Sequence, residues 1–228
     1  VILTVTVDGT YTYTGLAQSV SYEVTDSEGT VLDLGTDFEV SGEEYASVGE
    51  HYLAVVGLGA YEGAYGWSTW TIGKAALTVT ADDKTKVFGA KDPALTATVT
   101  DMVPGESESL ISYTISRAAG ETVEGSPYTI TPTGEKYQGN YEVSYVTGKL
   151  TITPQSIDPV DPSYDGIQVS DPDDTVYNGK EQKQPITVTD KAGNELTPDV
   201  DYKVTYSEDT TNVGTVTVTI EGIGDYTD

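Results

Sequence analysis

The sequence predicts an all-β protein made of three tandem sandwich units, on three observations. The first is composition: 35 Thr, 26 Val and 17 Tyr stand among 228 residues, and β-branched and aromatic side chains suit a pleated, half-buried surface. The second is periodicity. No stretch carries the i, i+3, i+4 apolar stripe of an amphipathic helix, whereas Thr215-Val216-Thr217-Val218-Thr219-Ile220 alternates hydroxyl and apolar side chains as a half-buried strand does. The third is internal repetition, which marks a chain assembled from copies of one supersecondary unit.

The first unit, residues 1–73, begins with the alternating Leu3-Thr4-Val5-Thr6 and ends on the closing strand Trp67–Ile72. Between them, Asp26-Ser27-Glu28-Gly29 supplies the Asp and Gly that a tight turn requires. Much of this unit recurs in the third, residues 165–228. At an offset of 164, Val24-Thr25-Asp26 aligns with Val188-Thr189-Asp190, and Asp37-Phe38-Glu39-Val40 with Asp201-Tyr202-Lys203-Val204. One added residue near Thr210 moves the offset to 165, after which Gly57-Leu58-Gly59-Ala60-Tyr61 aligns with Gly222-Ile223-Gly224-Asp225-Tyr226. Register held over some fifty residues with one indel makes the two units homologous. At this offset the counterpart of the closing strand falls beyond Asp228, so the third unit is expected to lack its final strand.

The middle unit, residues 74–154, follows a looser version of the plan. Leu77-Thr78-Val79-Thr80 repeats Leu3–Thr6, and Lys149-Leu150-Thr151-Ile152 repeats Thr69–Ile72. Residues 155–164 carry Pro159 and Pro162 directly after Pro154, and are expected to form a stiff, Asp-rich linker that leaves the third unit few contacts with the second. The four residues between the first two units imply instead a packed joint there.

The residues Leu77-Thr78-Val79-Thr80-Ala81-Asp82, Val87-Phe88-Gly89, Asp92-Pro93, Arg117-Ala118-Ala119-Gly120-Glu121, Asn140-Tyr141 and Gly148-Lys149-Leu150-Thr151-Ile152 resemble the MBG family of bacterial immunoglobulin-like repeats. Phe88 stands where that family usually has Tyr. The flanking units are similar to related, YDG-like repeats of Gram-positive surface proteins. The resemblance implies three tandem immunoglobulin-like β-sandwich units in an elongated rod. It also implies an extracellular location, with cell-wall anchoring through segments outside these residues. It assigns no catalytic residue.

Charge and composition exclude other classes. Thirty-seven acidic residues against 11 basic ones give a formal net charge of −26, which repels nucleic-acid phosphates and anionic headgroups. No apolar run approaches the roughly 18 residues that span a membrane. Cysteine is absent, so disulfides and thiol chemistry are excluded, and His51 is the only histidine. At offset 165 it aligns with Val216, so a core position near a strand end is expected for it rather than a catalytic one. Asp37 and Asp201 recur at one point of two units, which suits a turn better than an active site. The chain is therefore expected not to be an enzyme.

Two binding candidates remain. Tyr65 and Trp67 close the first unit with Trp70; if Trp70 faces inward, Trp67 faces outward, where it could stack on a sugar or anchor a protein. Covering the joint to the second unit is the role favoured for Trp67. Asp171, Asp173 and Asp174 are calcium candidates by composition, but they lack the loop spacing of an EF-hand, and no cofactor is expected. A Lys–Asn cross-link would need Lys84 or Lys86 with Asn140. Tyr61, Tyr141 and Tyr226, each after a Gly-x pair, are expected at equivalent buried positions with their hydroxyls on backbone. The leading function is a monomeric, non-catalytic stalk or spacer of a bacterial surface protein. The alternatives are an adhesin region binding host glycan or protein, and a glycan-binding accessory module of a secreted enzyme.

Overall fold

The computed structural model describes residues 2–228, and the chain in it is all-β, with two single-turn 3-10 segments as its only helical elements among the described residues. It divides into two compact units. One comprises Val1–Thr80, Thr98–Thr114 and Thr133–Val146, the other Ala81–Ala97, Ile115–Pro132 and Thr147–Asp228. The middle stretch of the sequence contributes residues to both.

In the first unit, β1 (Thr4–Asp8), β2 (Tyr11–Thr12), β3 (Gln18–Ser19) and β4 (Ser21–Thr25) precede β5 (Phe38–Ser41), β6 (Glu44–Tyr45), β7 (Gly49–Gly57) and β8 (Tyr65–Gly73). β1 pairs with β4, and a second sheet runs β2-β8-β7-β5. The inward alternate residues of both sheets build the core. Leu3, Val24, Phe38 and Val55 form one cluster, and Val20, Leu53, Trp70 and Ile72 another, with Val5 and Tyr22 packed against both. This is the two-layer solution by which half-apolar sheets remove their inner faces from water. β2 lies parallel to β8, Tyr11 opposite Ile72, so the start and the close of this sandwich are hydrogen-bonded side by side.

The middle stretch supplies β9 (Ala75–Ala81), β10 (Lys84–Val87), β11 (Ala97–Thr100), β12 (Thr114–Arg117), β13 (Tyr128–Thr133), β14 (Tyr137–Gln138), β15 (Tyr141–Val146) and β16 (Gly148–Thr153). One sheet runs β11-β9-β15-β14 and the other β10-β16-β13-β12. β9 is parallel to β15 and β10 is parallel to β16. Within the first unit the expected joint between the first and middle stretches is packed. The Glu106 carboxylate accepts a hydrogen bond from Tyr13 at 2.5 Å and another from the buried Tyr141, whose hydroxyl also accepts the Val103 N–H at 3.0 Å. These two hydroxyls hold Glu106 below the usual carboxylate range, Tyr13 contributing most, while burial and Glu106 push Tyr141 up to about 12.

The last stretch holds β17 (Gln155–Ser156), β18 (Gln168–Val169), β19 (Val188–Thr189), β20 (Tyr202–Tyr206), β21 (Val218–Gly222) and β22 (Tyr226–Thr227). Here the repeat becomes geometric. β1 pairs with β4 as Thr4↔Thr25 and Val5↔Val24; β18 pairs with β19 as Gln168↔Thr189 and Val169↔Val188, the same register at offset 164. Phe38↔Gly57 and Val40↔Val55 return as Tyr202↔Gly222 and Val204↔Ile220, with the 165 offset on the second strand. Gly57 and Gly222 recur because neither has room for a Cβ, which would lie 2.1 Å from the Tyr61 carbonyl oxygen and 2.6 Å from the Thr227 nitrogen respectively.

Two expectations need correction. The segment after Pro154 does not leave the last stretch isolated. β17 pairs parallel with β22, Ile157 enters the core with Ile167, Val188 and Tyr202, and Phe88 packs edge-on against Tyr226 with ring centroids 5.4 Å apart. Prolines at 154, 159 and 162 still leave N–H groups at 155–157 free to join a ladder, and Gln155 and Ile157 donate to the Asp225 and Thr227 carbonyls. The three tyrosines are not equivalent either. Tyr61 and Tyr226 correspond, each with its N–H on the carbonyl three residues back, whereas Tyr141 sits between two ladders, opposite Gln138 on one side and Ala75 on the other. The Tyr61 hydroxyl goes to the Asp26 carboxylate at 3.3 Å rather than to backbone.

Candidate functional site

The outward face of the β7–β8 hairpin is where the first unit offers something to a ligand. Strand parity dictates it. His51, Leu53 and Val55 point inward opposite Trp70, Ser68 and Gly66, so Tyr52, Ala54 and Val56 point outward opposite Thr69, Trp67 and Tyr65. Trp67 is 64% exposed and Tyr52 63%, with ring centroids 6.2 Å apart at an interplanar angle of 48°. Tyr65 is 56% exposed on the same face, beside exposed Val56. Such exposure excludes the role favoured for Trp67 from sequence, since a residue covering a joint would be buried. Tyr52 was missed. The signal for it was available: once His51 is placed inward, its neighbour must face out.

Carboxylates border this face. Glu39 stands opposite Val56 and Glu50 opposite Thr71, and residues 1–73 hold no lysine or arginine. The patch is thus aromatic and anionic, suited to the apolar face of a neutral sugar ring or to a cationic side chain and unsuited to an anion.

Several polar side chains elsewhere hold the fold. His51 is buried, stacks on Tyr45 with centroids 4.1 Å apart, and has Nε2 2.7 Å from the Ser47 carbonyl oxygen. The recurrent aspartates do identical work in both copies. Asp37 accepts the Asp33 N–H at 2.9 Å and Asp201 accepts the Thr197 N–H at 2.7 Å. Asp26 caps the N–H groups of Glu28 and Thr30, and Asp190 those of Ala192 and Asn194. Both carboxyls are held below their usual range, Asp26 mainly by the Thr30 N–H and Asp190 mainly by the Asn194 side chain.

Asp171, Asp173 and Asp174 are all exposed, and no group of three or more His, Cys, Asp or Glu residues is gathered to hold a metal ion among the described residues. In the second unit, Lys86 meets Asp92 at 2.7 Å and Glu121 at 2.5 Å, and Arg117 joins the same two carboxylates. Burial opposes the charge on Lys86, but the two carboxylates outweigh it and raise its pKa. Asp92, held chiefly by Arg117 and then by Lys86, falls to about 2. The lysine considered for a cross-link thus faces two carboxylates that are ionised at neutral pH, a stable arrangement of ion pairs.

Residues 77–151 match the family model described as MBG domain (YGX type). This covers almost the whole middle stretch and bears out the resemblance carried by its motifs. Comparison with curated proteins gave no match, and comparison with solved structures gave none.

Proposed function

We propose that this chain is a non-catalytic spacer segment of a bacterial surface protein, displayed outside the cell, in which repeated β modules bear load and hold another region away from the wall. The MBG domain at residues 77–151 supports the coarse reading, a repeat module of the kind surface proteins carry. The strand order supports the mechanical one. In the first stretch the early strand β2 is parallel to the closing strand β8. In the middle stretch β10 is parallel to the closing strand β16 over four residue pairs, Lys84↔Leu150 to Val87↔Thr153. In the last stretch β17 is parallel to β22. When an early strand of a module lies parallel and adjacent to its closing strand, tension between the module's ends slides the two past one another. Every bond of the ladder then resists together, and no single bond opens ahead of the rest. Acids with described partners fit the same role: Asp26, Asp37, Asp190 and Asp201 hold turns, and Asp92 and Glu121 hold ion pairs. Pulling on the chain between fixed ends tests this reading, and the expected outcome closes the Discussion.

A second reading has its own support. The Trp67–Tyr52 pair, each ring about two-thirds open, is an adhesive surface for glycan or protein. A glycan array probed with the chain checks it: binding that Trp67→Ala abolishes would favour an adhesin over a plain spacer, and no binding would leave the face without that role.

A further inference from the structure

The outward face of β5, β7 and β8 carries a restricted chemistry. Among the described residues, no outward position of these strands holds lysine, arginine, histidine, asparagine or glutamine. What stands there are carboxylates, hydroxyls, short aliphatics and the rings of Tyr52, Tyr65 and Trp67. The small Ala54 lies opposite Trp67, so nothing on the neighbouring strand covers the indole. Glu39 stands level with Val56, six residues from Glu50 along β7. The two carboxylates are therefore spread over about 20 Å of sheet, with the Tyr52–Trp67 pair between them.

The charge around this face has one sign. Residues 1–73 hold 11 acidic side chains and no lysine or arginine. The compact unit they belong to contains two lysines, Lys74 and Lys136, and no arginine. Both lysines are engaged: Lys74 donates to the Gly139 carbonyl, and Lys136 meets Glu142 at 2.8 Å. Among the described residues, Glu39 and Glu50 face no cation.

These features separate the two ligand chemistries that an exposed indole serves. A neutral sugar would use the rings, but it gains nothing from the field and finds no amide donor for its hydroxyls. A cation uses the rings and the field together, since the face of Trp is the strongest aromatic site for a positive charge. Arginine fits better than lysine, because its planar guanidinium stacks on a ring and still offers donors to a carboxylate. A second copy of the chain is a poor source of that group. Its single arginine, Arg117, is 13% exposed and held by Asp92 and Glu121, and two chains of formal charge −26 repel one another.

We propose that the β7–β8 face binds an arginine-rich segment of a separate, basic protein. One guanidinium seats over the Trp67–Tyr52 pair, and further positive charges lie toward Glu39 and Glu50 on either side. This rests on the reading of the face as adhesive and names its partner.

Calorimetry on the 228-residue chain tests it with four probes. The first is a capped nonapeptide of three Arg-Gly-Ser repeats, whose arginines stand about 10 Å apart when extended. In the second and third, lysine and neutral citrulline replace arginine, and the fourth is chitohexaose, a neutral glycan. The arginine peptide is expected to bind at least about tenfold more tightly than the citrulline peptide and about threefold more tightly than the lysine peptide. Trp67→Ala should weaken it at least about fivefold, and Glu39→Gln with Glu50→Gln at least about threefold. All three side chains are exposed, so these variants keep the fold. Equal binding of the citrulline or lysine peptide would overturn the proposal. So would arginine-peptide binding that Trp67→Ala leaves unchanged, which would report only the overall charge of the chain. Chitohexaose binding that needs Trp67, without binding of the arginine peptide, would overturn the arginine partner and keep the adhesive face. No Trp67-dependent binding of any probe would overturn both.

Discussion

Two tryptophans three residues apart on one strand should behave as opposites. Trp70 is 3% exposed, packs among Tyr11, His51 and Tyr45, and donates its indole N–H to the Gly42 carbonyl. An aromatic side chain buries 150–250 Å². At about 25 cal/mol per Å² that is roughly 4–6 kcal/mol of transfer free energy, an upper bound because the unfolded chain already hides some surface. Large-to-Ala series give about 3–5 kcal/mol for Trp, and the orphaned Gly42 carbonyl adds about 1. Trp70→Ala should therefore cost about 4–6 kcal/mol and lower the first sandwich's transition by roughly 16 °C or more, taking about 4–8 °C per kcal/mol for a domain of this size. Trp67→Ala, on the solvent side, should stay within about 0.5 kcal/mol. Urea unfolding followed by far-ultraviolet circular dichroism gives both numbers. In Trp70→Ala the remaining Trp67 should fluoresce as a water-exposed indole in the folded state. A costly Trp67→Ala beside a mild Trp70→Ala would mean that β8 is turned over, and the register with β7 would fall.

Asp37→Ala and Asp201→Ala should each cost about 1 kcal/mol, because each removes one carboxylate–amide bond at a partly exposed turn; stability measured on the two single variants checks this, and a large effect of only one would break the equivalence of the copies. Asp92 has its folded pKa depressed from 3.8 to about 2, so its contribution is fully present above about pH 4 and is lost as pH falls through about 2. The stability gap between the wild type and Asp92→Asn should be constant from neutral pH to about 4 and then close, and a gap that widens on acidification would reverse the sign of the effect. Glu106, also depressed, should give Glu106→Gln a deficit that shrinks as pH falls below the usual carboxylate range, read from acid titrations of the two proteins.

What the sequence made legible was whatever repeats. The 164 and 165 offsets foretold which residues of the first and last stretches correspond, and corresponding residues have corresponding partners in the structure, because a register shift of one residue would turn every inward side chain out. The inward place of His51 and the turn role of Asp37 and Asp201 followed from the same alignment. Three things were hidden, each for a physical reason. Ile157 reads as a lone apolar residue among prolines and aspartates, and its burial depends on β17 meeting β22, some seventy residues later in the chain. The Lys86–Asp92–Arg117–Glu121 cluster joins residues from separate strands and loops, and no local spacing announces it. Tyr52 was legible in principle but went unread, since its exposure only matters beside Trp67. Tyr141 misled because a Gly-x-Tyr triplet can open a strand as readily as it can close a turn.

Force-extension measurement on single molecules tests the load-bearing account most directly. The chain would be held by its two ends between reference domains that unzip at low force. Shear across parallel strand pairs predicts abrupt ruptures well above the unzipping force. The first sandwich, residues 2–73, should release about 240 Å of contour at about 3.4 Å per residue, and a proline at Tyr13, whose N–H donates to the Gly73 carbonyl at 2.9 Å, should lower its rupture force. Gradual lengthening at or below the force of the unzipping references, unchanged by Tyr13→Pro, would contradict the account.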